Sequence, residues 1–269
     1  MSIYLYSYPS LYINPGGPTY KTAMLFQHLT NLGVDVRLFN LWDNQLHLGD
    51  KDLFYIFTAS ISTYPLTVNL VQKGIKYIVN PIFYSNHSAE TIKMYRLLEK
   101  PFRRVFKRSI SDYDITEDIC RQSEMIIPNT QAEKNLLQNV FDLRKNRFKI
   151  IHNGVEERFA EASPELFQKK YGLKDFVLYT GHLGPVRKNG LNIIKAMQKV
   201  SAPCMIIADK LDNAEGNKCL EEINKSKNIT FLGWLDHNDP LLASAYAACH
   251  TYILPTRYET PGEQHWKLD

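Results

Sequence analysis

Short apolar runs of strand length alternate with stretches of helical periodicity along almost the whole chain, and this alternation restricts the fold more than any other feature. Parallel strands cannot be joined by a tight turn. They need a crossover, usually a helix, so the pattern specifies α/β architecture with parallel sheets covered on both faces. In the first half the strand-like runs are 3–8, 34–39, 53–58, 75–80 and 125–128, with 148–151 closing the series. A helix is expected over 20–32, ended by Gly33, and another from the capping pattern Thr130-Gln131-Ala132-Glu133 through Val140. A second series follows, with strands at 176–180, 204–208, 229–232 and 251–254. Its helices are expected after Asn189, near 214–224, and from Asp239-Pro240 to Ala248. Between the two series, Ser163-Pro164 reads as an N-cap with proline at the first helical position, opening a short helix that stops at Gly172. The expected division is therefore residues 1–155 as an N-terminal domain, 156–172 as a linker, and 173–269 as a C-terminal domain.

At 269 residues, 44% hydrophobic and 22% charged, the chain can bury a sizeable core and is outside the disordered, collagen-like and disulfide-scaffold classes. No run approaches the roughly 18 apolar residues of a membrane span. The N-terminal MSIYLYSYPS lacks the cationic region and small-residue cleavage site of a secretory signal. These readings lead to the expectation of a soluble cytoplasmic protein. Cys120, Cys204, Cys219 and Cys249 are scattered, without CxxC or zinc spacing, so they read as reduced and inert, and no metal is expected.

The net charge of +4 conceals an asymmetry. Lys93, Arg96, Lys100, Arg103, Arg104, Lys107 and Arg108 against Glu99 give one segment +6, which leaves −2 for the remainder. Met94, Leu97, Leu98, Phe102, Val105, Phe106 and Ile110 recur through it at helical spacing, interrupted by Pro101, so it reads as a kinked or broken helix with a basic face. Such a face suits anionic lipid headgroups, possible peripheral contact with the inner membrane face, or a phosphate-bearing acceptor; the alternative is an ordinary solvated surface. Nucleic-acid binding is not expected, because no recognition motif accompanies the basic residues.

Open α/β sheets bind ligands beyond the carboxyl ends of their strands, where helix N-termini favour anions. Three segments fall there: Gly16-Gly17 before the first helix, Gly181 to Asn189 with His182, Arg187 and Lys188, and Tyr258 to Gly262 with Glu259. Neither GxGxxG nor GxxxxGK[ST] is present, which argues against a dinucleotide dehydrogenase or a P-loop NTPase.

Taken in order, Gly16-Gly17, Ile127-Pro128-Asn129-Thr130 with Glu133, His152-Asn153-Gly154-Val155, Thr180-Gly181-His182-Leu183 with Arg187-Lys188-Asn189, Phe231-Leu232-Gly233-Trp234, and Leu254-Pro255-Thr256 with Tyr258-Glu259 and Gly262 resemble the retaining nucleotide-sugar glycosyltransferases of GT-B fold. The Arg187-Lys188-Asn189 form is similar to a branch rich in mannosyltransferases of cell-surface polysaccharide synthesis. The resemblance implies two Rossmann-like domains, the N-terminal one for the acceptor and the C-terminal one for the donor. It implies transfer of a hexose from a GDP- or UDP-sugar to a glycan or lipid-linked acceptor, with retention and without a cofactor. By the same resemblance, Gly16, Gly17, Gly181, His182, Arg187, Lys188 and Gly262 bind the donor, and Glu259 faces its sugar as a catalytic carboxylate.

The chain departs from the pattern in several places. His182 stands where many members have arginine. The histidine that many members place after an N-domain strand should fall near Asn80-Pro81, so His87 is the nearest catalytic candidate. Lys267 stands eight positions after Glu259, where the second glutamate of the motif belongs. With only about four strands in its second series, the chain is expected to be C-terminally incomplete relative to the resembled family and inactive as it stands. The rival reading is a truncated or degenerate homologue that binds nucleotide or glycan without chemistry. A sugar-nucleotide epimerase of the same architecture lacks residues assignable as its acid and base.

Overall fold

A computed structural model describes residues 1–13, 17–43, 45–105, 111–254 and 256–257, except for the side chains of Ser10, Tyr12 and residues 100–105. The chain divides into two compact units, Met1–Asn153 and Gly154–Asp269. Each is a doubly wound parallel α/β layer structure.

In the first unit, β1 (Ile3–Tyr6), β2 (Val36–Leu38), β3 (Leu53–Phe57), β4 (Lys76–Asn80) and β5 (Met125–Ile126) form a parallel sheet in the order β2-β1-β3-β4-β5. Its helices are α1 (Gly17–Asn31), α2 (Tyr64–Gln72), α3 (Ala89–Val105), α4 (Asp112–Gln122) and α5 (Gln131–Val140). Successive strand residues point to opposite faces, and here both faces are buried. From β3, Phe54 and Ile56 enter one core with Leu70, Ile115, Ile119 and Leu137 of the helices. Phe57 packs on the other side with Leu5, Val36 and, from α1, Leu25, Phe26 and Leu29. The 148–151 run, expected as a strand, contributes only an isolated parallel bridge between Phe148 and Ile126.

The second unit contains α6 (Glu157–Ala160), α7 (Glu165–Tyr171), β6 (Phe176–Leu183), α8 (Gly190–Met197), β7 (Cys204–Lys210), α9 (Ala214–Asn224), β8 (Ile229–Gly233), α10 (Pro240–Ala248) and β9 (Cys249–Tyr252). The sheet order is β8-β7-β6-β9, all parallel. Phe176, Leu178, Met205 and Ile207 face a core shared with α10, and Tyr179, Leu183, Ile206 and Ala208 face one shared with α8 and α9.

Three sequence expectations are corrected. Residues 156–172 do not link the units: Phe159 and Phe167, from α6 and α7, are buried in the core of the second unit, and Ser244 donates to the Ser163 carbonyl at 2.7 Å. Apolar side chains placed one per short helix have made this stretch part of that layer. Pro101 does not break α3, which runs through it to Val105; it only withholds one N–H from the preceding turn. Lastly, Arg96 is not part of an exposed basic face. Its guanidinium pairs with Glu117 and, at 3.4 Å, with Asp114 of α4, donates to the Val140 carbonyl at the end of α5 at 3.2 Å, and lies 5.0 Å from the Phe141 ring centroid. A cation is favoured there by two carboxylates and by the carbonyl end of a helix.

Arg96 therefore ties α3 to α4 and α5. Replacing it with leucine should destabilise the protein by about 2 kcal/mol, because Asp114 and Glu117 each lose a cation, although Glu117 keeps its pair with Arg121 at 2.5 Å. Urea unfolding of the single variant and of its combination with Glu117→Gln checks this: the double variant should lose less than the sum.

Candidate functional site

In the second unit the chain winds from β6 outward to β7 and β8, then returns to place β9 on the other side of β6. The loops after β6 and β9 thus diverge at a topological switch point, the usual ligand crevice of an open parallel sheet. Strand β6 is longer than the sequence suggests. Gly181 and His182 are still strand residues, paired in register with Ala208 and Asp209. Gly184 turns the chain out of the sheet at φ 120°, and a Cβ there would lie 2.9 Å from both Leu211 Cβ and Asn213 Oδ1, so only glycine fits.

Arg187 and Lys188 occupy one 3₁₀ turn, and Asn189, in the left-handed region at φ 59°, leads directly into α8. The Arg187 carbonyl accepts from the N–H of Arg257 at 2.9 Å, so the loops beyond β6 and β9 are joined by a backbone hydrogen bond. Lys188 is only 6% exposed. Two cations thus precede a helix N-terminus, an arrangement suited to a polyanion.

His182 extends the cluster. Its ring stacks on Trp234, with centroids 5.6 Å apart and planes 20° from parallel, and its Nδ1 lies 3.8 Å from Asp209. Burial lowers the His182 pKa, and the charges of Lys188 and Arg187 lower it further; the half-exposed Asp209 opposes them without prevailing. The imidazole is therefore neutral at neutral pH and supplies no third cation. Trp234, just beyond β8, keeps 49% of its surface exposed, which leaves an aromatic face open to a planar ligand.

The carboxyl edge of the first sheet carries a polar network that sequence reasoning missed. Lys21 of α1 donates from Nζ to Asn80 Oδ1 at 3.1 Å and to Asn129 Oδ1 at 2.6 Å. Asn80 ends β4 and Asn129 lies just beyond β5. Glu133, expected to close a capping box with Thr130, is buried beneath them and accepts instead from the N–H groups of Phe83 at 2.8 Å and Asn129 at 2.7 Å. Thr130 does cap α5, accepting from the Glu133 N–H. Burial raises the Glu133 pKa, against the backbone hydrogen bonds and Lys21, which lower it. Thr58 and Ile82, at φ 71° and 50°, are strained non-glycine residues just past β3 and β4 on the same edge.

No family profile matches this sequence, and no curated protein matches it. Solved structures do. A sucrose-phosphate synthase from Thermosynechococcus elongatus superposes with a TM-score of 0.72 at 14% identity, over 100% of this chain and 79% of that one. The lipopolysaccharide outer core galactosyltransferase WaaB, in its apo form, gives 0.62 at 10% identity, over 99% and 77%. A glycosyltransferase from Rickettsia africae gives 0.56 at 14%, over 99% and 76%. The fold is that of the GT-B glycosyltransferases.

Gly181 and His182 stand near the end of β6, and Arg187 and Lys188 follow in the turn beyond the same strand. Gly17 is the first residue of α1, while Gly16, Glu259, Gly262 and Lys267 lie outside the described residues. His87 is exposed in the loop before α3, its ring edge-on to Tyr95 at 5.6 Å between centroids. Of the basic segment, Lys93 is exposed and Arg96 is turned inward. Lys100, Arg103 and Arg104 fall in α3 with undescribed side chains, and Lys107 and Arg108 lie outside the described residues. All four cysteines are free, and burial pushes the Cys219 and Cys249 thiols up to about 11.

The lowered His182 pKa carries a pH dependence. In the unfolded chain the group titrates near its ordinary 6.5; in the folded chain it titrates lower. The stability it contributes is present above 6.5 and is lost as pH falls through the folded value. Between about pH 7 and about pH 5, wild type should lose more stability than His182→Gln, as read by urea midpoints of both proteins.

Proposed function

We propose that this chain transfers a hexose from a GDP- or UDP-sugar to a glycan or lipid-linked acceptor, with retention of configuration. The observation that carries the reading is the Arg187-Lys188 turn at the switch point of the second sheet, immediately ahead of α8 and beside the Trp234 face. Breaking the bond between sugar and diphosphate develops negative charge on the leaving group. Fixed cations and a helix N-terminus stabilise that charge without reorganising as it forms. The exposed indole of Trp234 offers a stacking surface to the base. In this reading Glu259 favours the oxocarbenium-like sugar, as the resemblance implies, and a neutral His182 donates or accepts a hydrogen bond without adding charge.

The acceptor reading extends to α3. With Arg96 drawn inward, Met94, Leu97 and Leu98 lie on one outward face, exposed by 53%, 61% and 61%, next to Lys93. Apolar side chains beside a cationic segment suit the interface of an anionic membrane, and a lipid-linked acceptor would be met there. Among the described residues no helix is long and apolar enough to cross a membrane, so such contact would be peripheral.

The donor assignment is tested by calorimetric titration of UDP and GDP. Lys188→Met, which keeps most of the side-chain volume, should bind at least about tenfold more weakly, the loss expected for a charge-assisted contact. Glu259→Gln is the contrast: turnover should collapse while diphosphate affinity stays near wild type. Unchanged affinity in Lys188→Met would remove the donor site from this turn. For α3, co-sedimentation with phosphatidylglycerol vesicles should exceed that with phosphatidylcholine and fall steeply with salt, and Leu97→Glu should abolish it. Indifference to lipid charge would return α3 to an ordinary solvated surface.

A further inference from the structure

Three strands of the second sheet end beside one another in the order β8, β7, β6, and the groups placed so far beyond β8 and β6 leave the strand between them without a role. Trp234 follows β8, and the Arg187-Lys188 turn follows β6. Near the end of β7 stands Asp209, paired in register with His182. Residues paired in this way project from the same face of a sheet. The Asp209 carboxylate therefore shares the face on which the His182 and Trp234 rings stack.

Asp209 keeps half of its side-chain surface exposed. Among the described residues its ion-pair partner is His182 Nδ1 alone, 3.8 Å away on a ring that burial holds neutral. Lys210, the next residue, projects from the opposite face by strand alternation and is taken up by Asn217 Oδ1 at 2.7 Å and Asp212 at 3.5 Å. A carboxylate one strand away from two cations that receive a diphosphate does not itself touch the phosphates, because like charges repel. It accepts from hydroxyl groups instead, and from two adjacent ones at once through its two oxygens.

A nucleoside diphosphate carries such a pair of hydroxyls between its base and its phosphates. Its three parts follow one another as the three strand ends do, with the base at Trp234, the ribose at Asp209 and the diphosphate at Arg187 and Lys188. Neighbouring strands lie about 4.8 Å apart, so β8 to β6 spans about 10 Å, the scale of a nucleotide from base to diphosphate. Spacing along the chain agrees. In dinucleotide-binding sheets an acidic residue about 20 positions beyond the phosphate-binding turn accepts from a ribose hydroxyl, and Asp209 is 21 positions beyond Lys188. We propose that Asp209 is the ribose contact of the donor site, accepting from the 2′- and 3′-hydroxyls through its two carboxylate oxygens. This contact rests on the donor reading, which puts the diphosphate on Arg187 and Lys188. Given that donor, the site selects nucleotides with an intact ribose diol, whichever base they carry.

Calorimetric titration of the full chain with UDP, GDP and their 2′,3′-dideoxy forms tests the contact. Wild type should bind whichever ribonucleotide it accepts at least about tenfold more tightly than the dideoxy form, the loss expected for hydrogen bonds to a charged acceptor. Asp209→Ala should weaken the ribonucleotide by a similar factor, leave the dideoxy form nearly unchanged, and so bring their ratio close to one. Lys188→Met is the contrast: it should weaken both forms alike and keep the ratio. Should Asp209→Ala fail to fold, Asp209→Asn, of the same shape without the charge, is read in its place and should cut the preference several-fold. Equal binding of the two forms by wild type overturns the ribose contact and leaves the donor site standing. A full preference that survives in the folded Asp209 variant does the same. A wild type that binds neither UDP nor GDP overturns the donor reading, and the ribose contact with it.

Discussion

Burying both faces of a parallel sheet is the constraint on which the rest of this structure depends. A sheet whose strands alternate large apolar residues to either side, as Phe54 and Ile56 do against Phe57 in β3, must be covered by helices above and below. Each helix then returns the chain to the same end of the sheet, and every βα loop opens at the carboxyl edge. Polar and glycine-rich segments that would be costly inside a layer are collected there without a separate cause. Gly184, the Arg187-Lys188 turn and the Lys21 network are consequences of that one topology.

The two edges use their polar residues differently. In the second unit the cations are adjacent in sequence, the neighbouring imidazole is kept neutral by burial, and an aromatic face is left open. The diphosphate donor proposed above rests on that arrangement. In the first unit one ammonium is shared by two buried amides above a carboxylate committed to backbone N–H groups.

Charge placement shows how packing revises a surface read from sequence. The +6 segment reads as one basic face because lysine and arginine recur through it. Arg96 nevertheless falls on the turn of α3 that faces α4 and α5, below Ile92, where Glu117, Asp114 and the Val140 carbonyl offer better partners than water. Its withdrawal is what leaves Met94, Leu97 and Leu98 as the outward surface.

The sequence by itself determined the layer architecture, most strand positions, the Thr130 and Asp239 caps, and the grouping of Gly181, His182, Arg187 and Lys188, because these follow from local periodicity and from residues close together in the chain. Only the tertiary structure decided that residues 156–172 belong to the second core, that His182 is neutral, that Arg96 is half-buried against α4 and α5, and that Glu133 serves Asn129 and Phe83. It alone brought Lys21 to Asn80 and Asn129, positions 59 and 108 residues away. Each of these depends on which long-range neighbours desolvate or pair with a group. A side chain's charge, reach and hydrogen-bond demand can be read from its type, but its partner is set by the packing of elements that the chain connects only through the whole sheet.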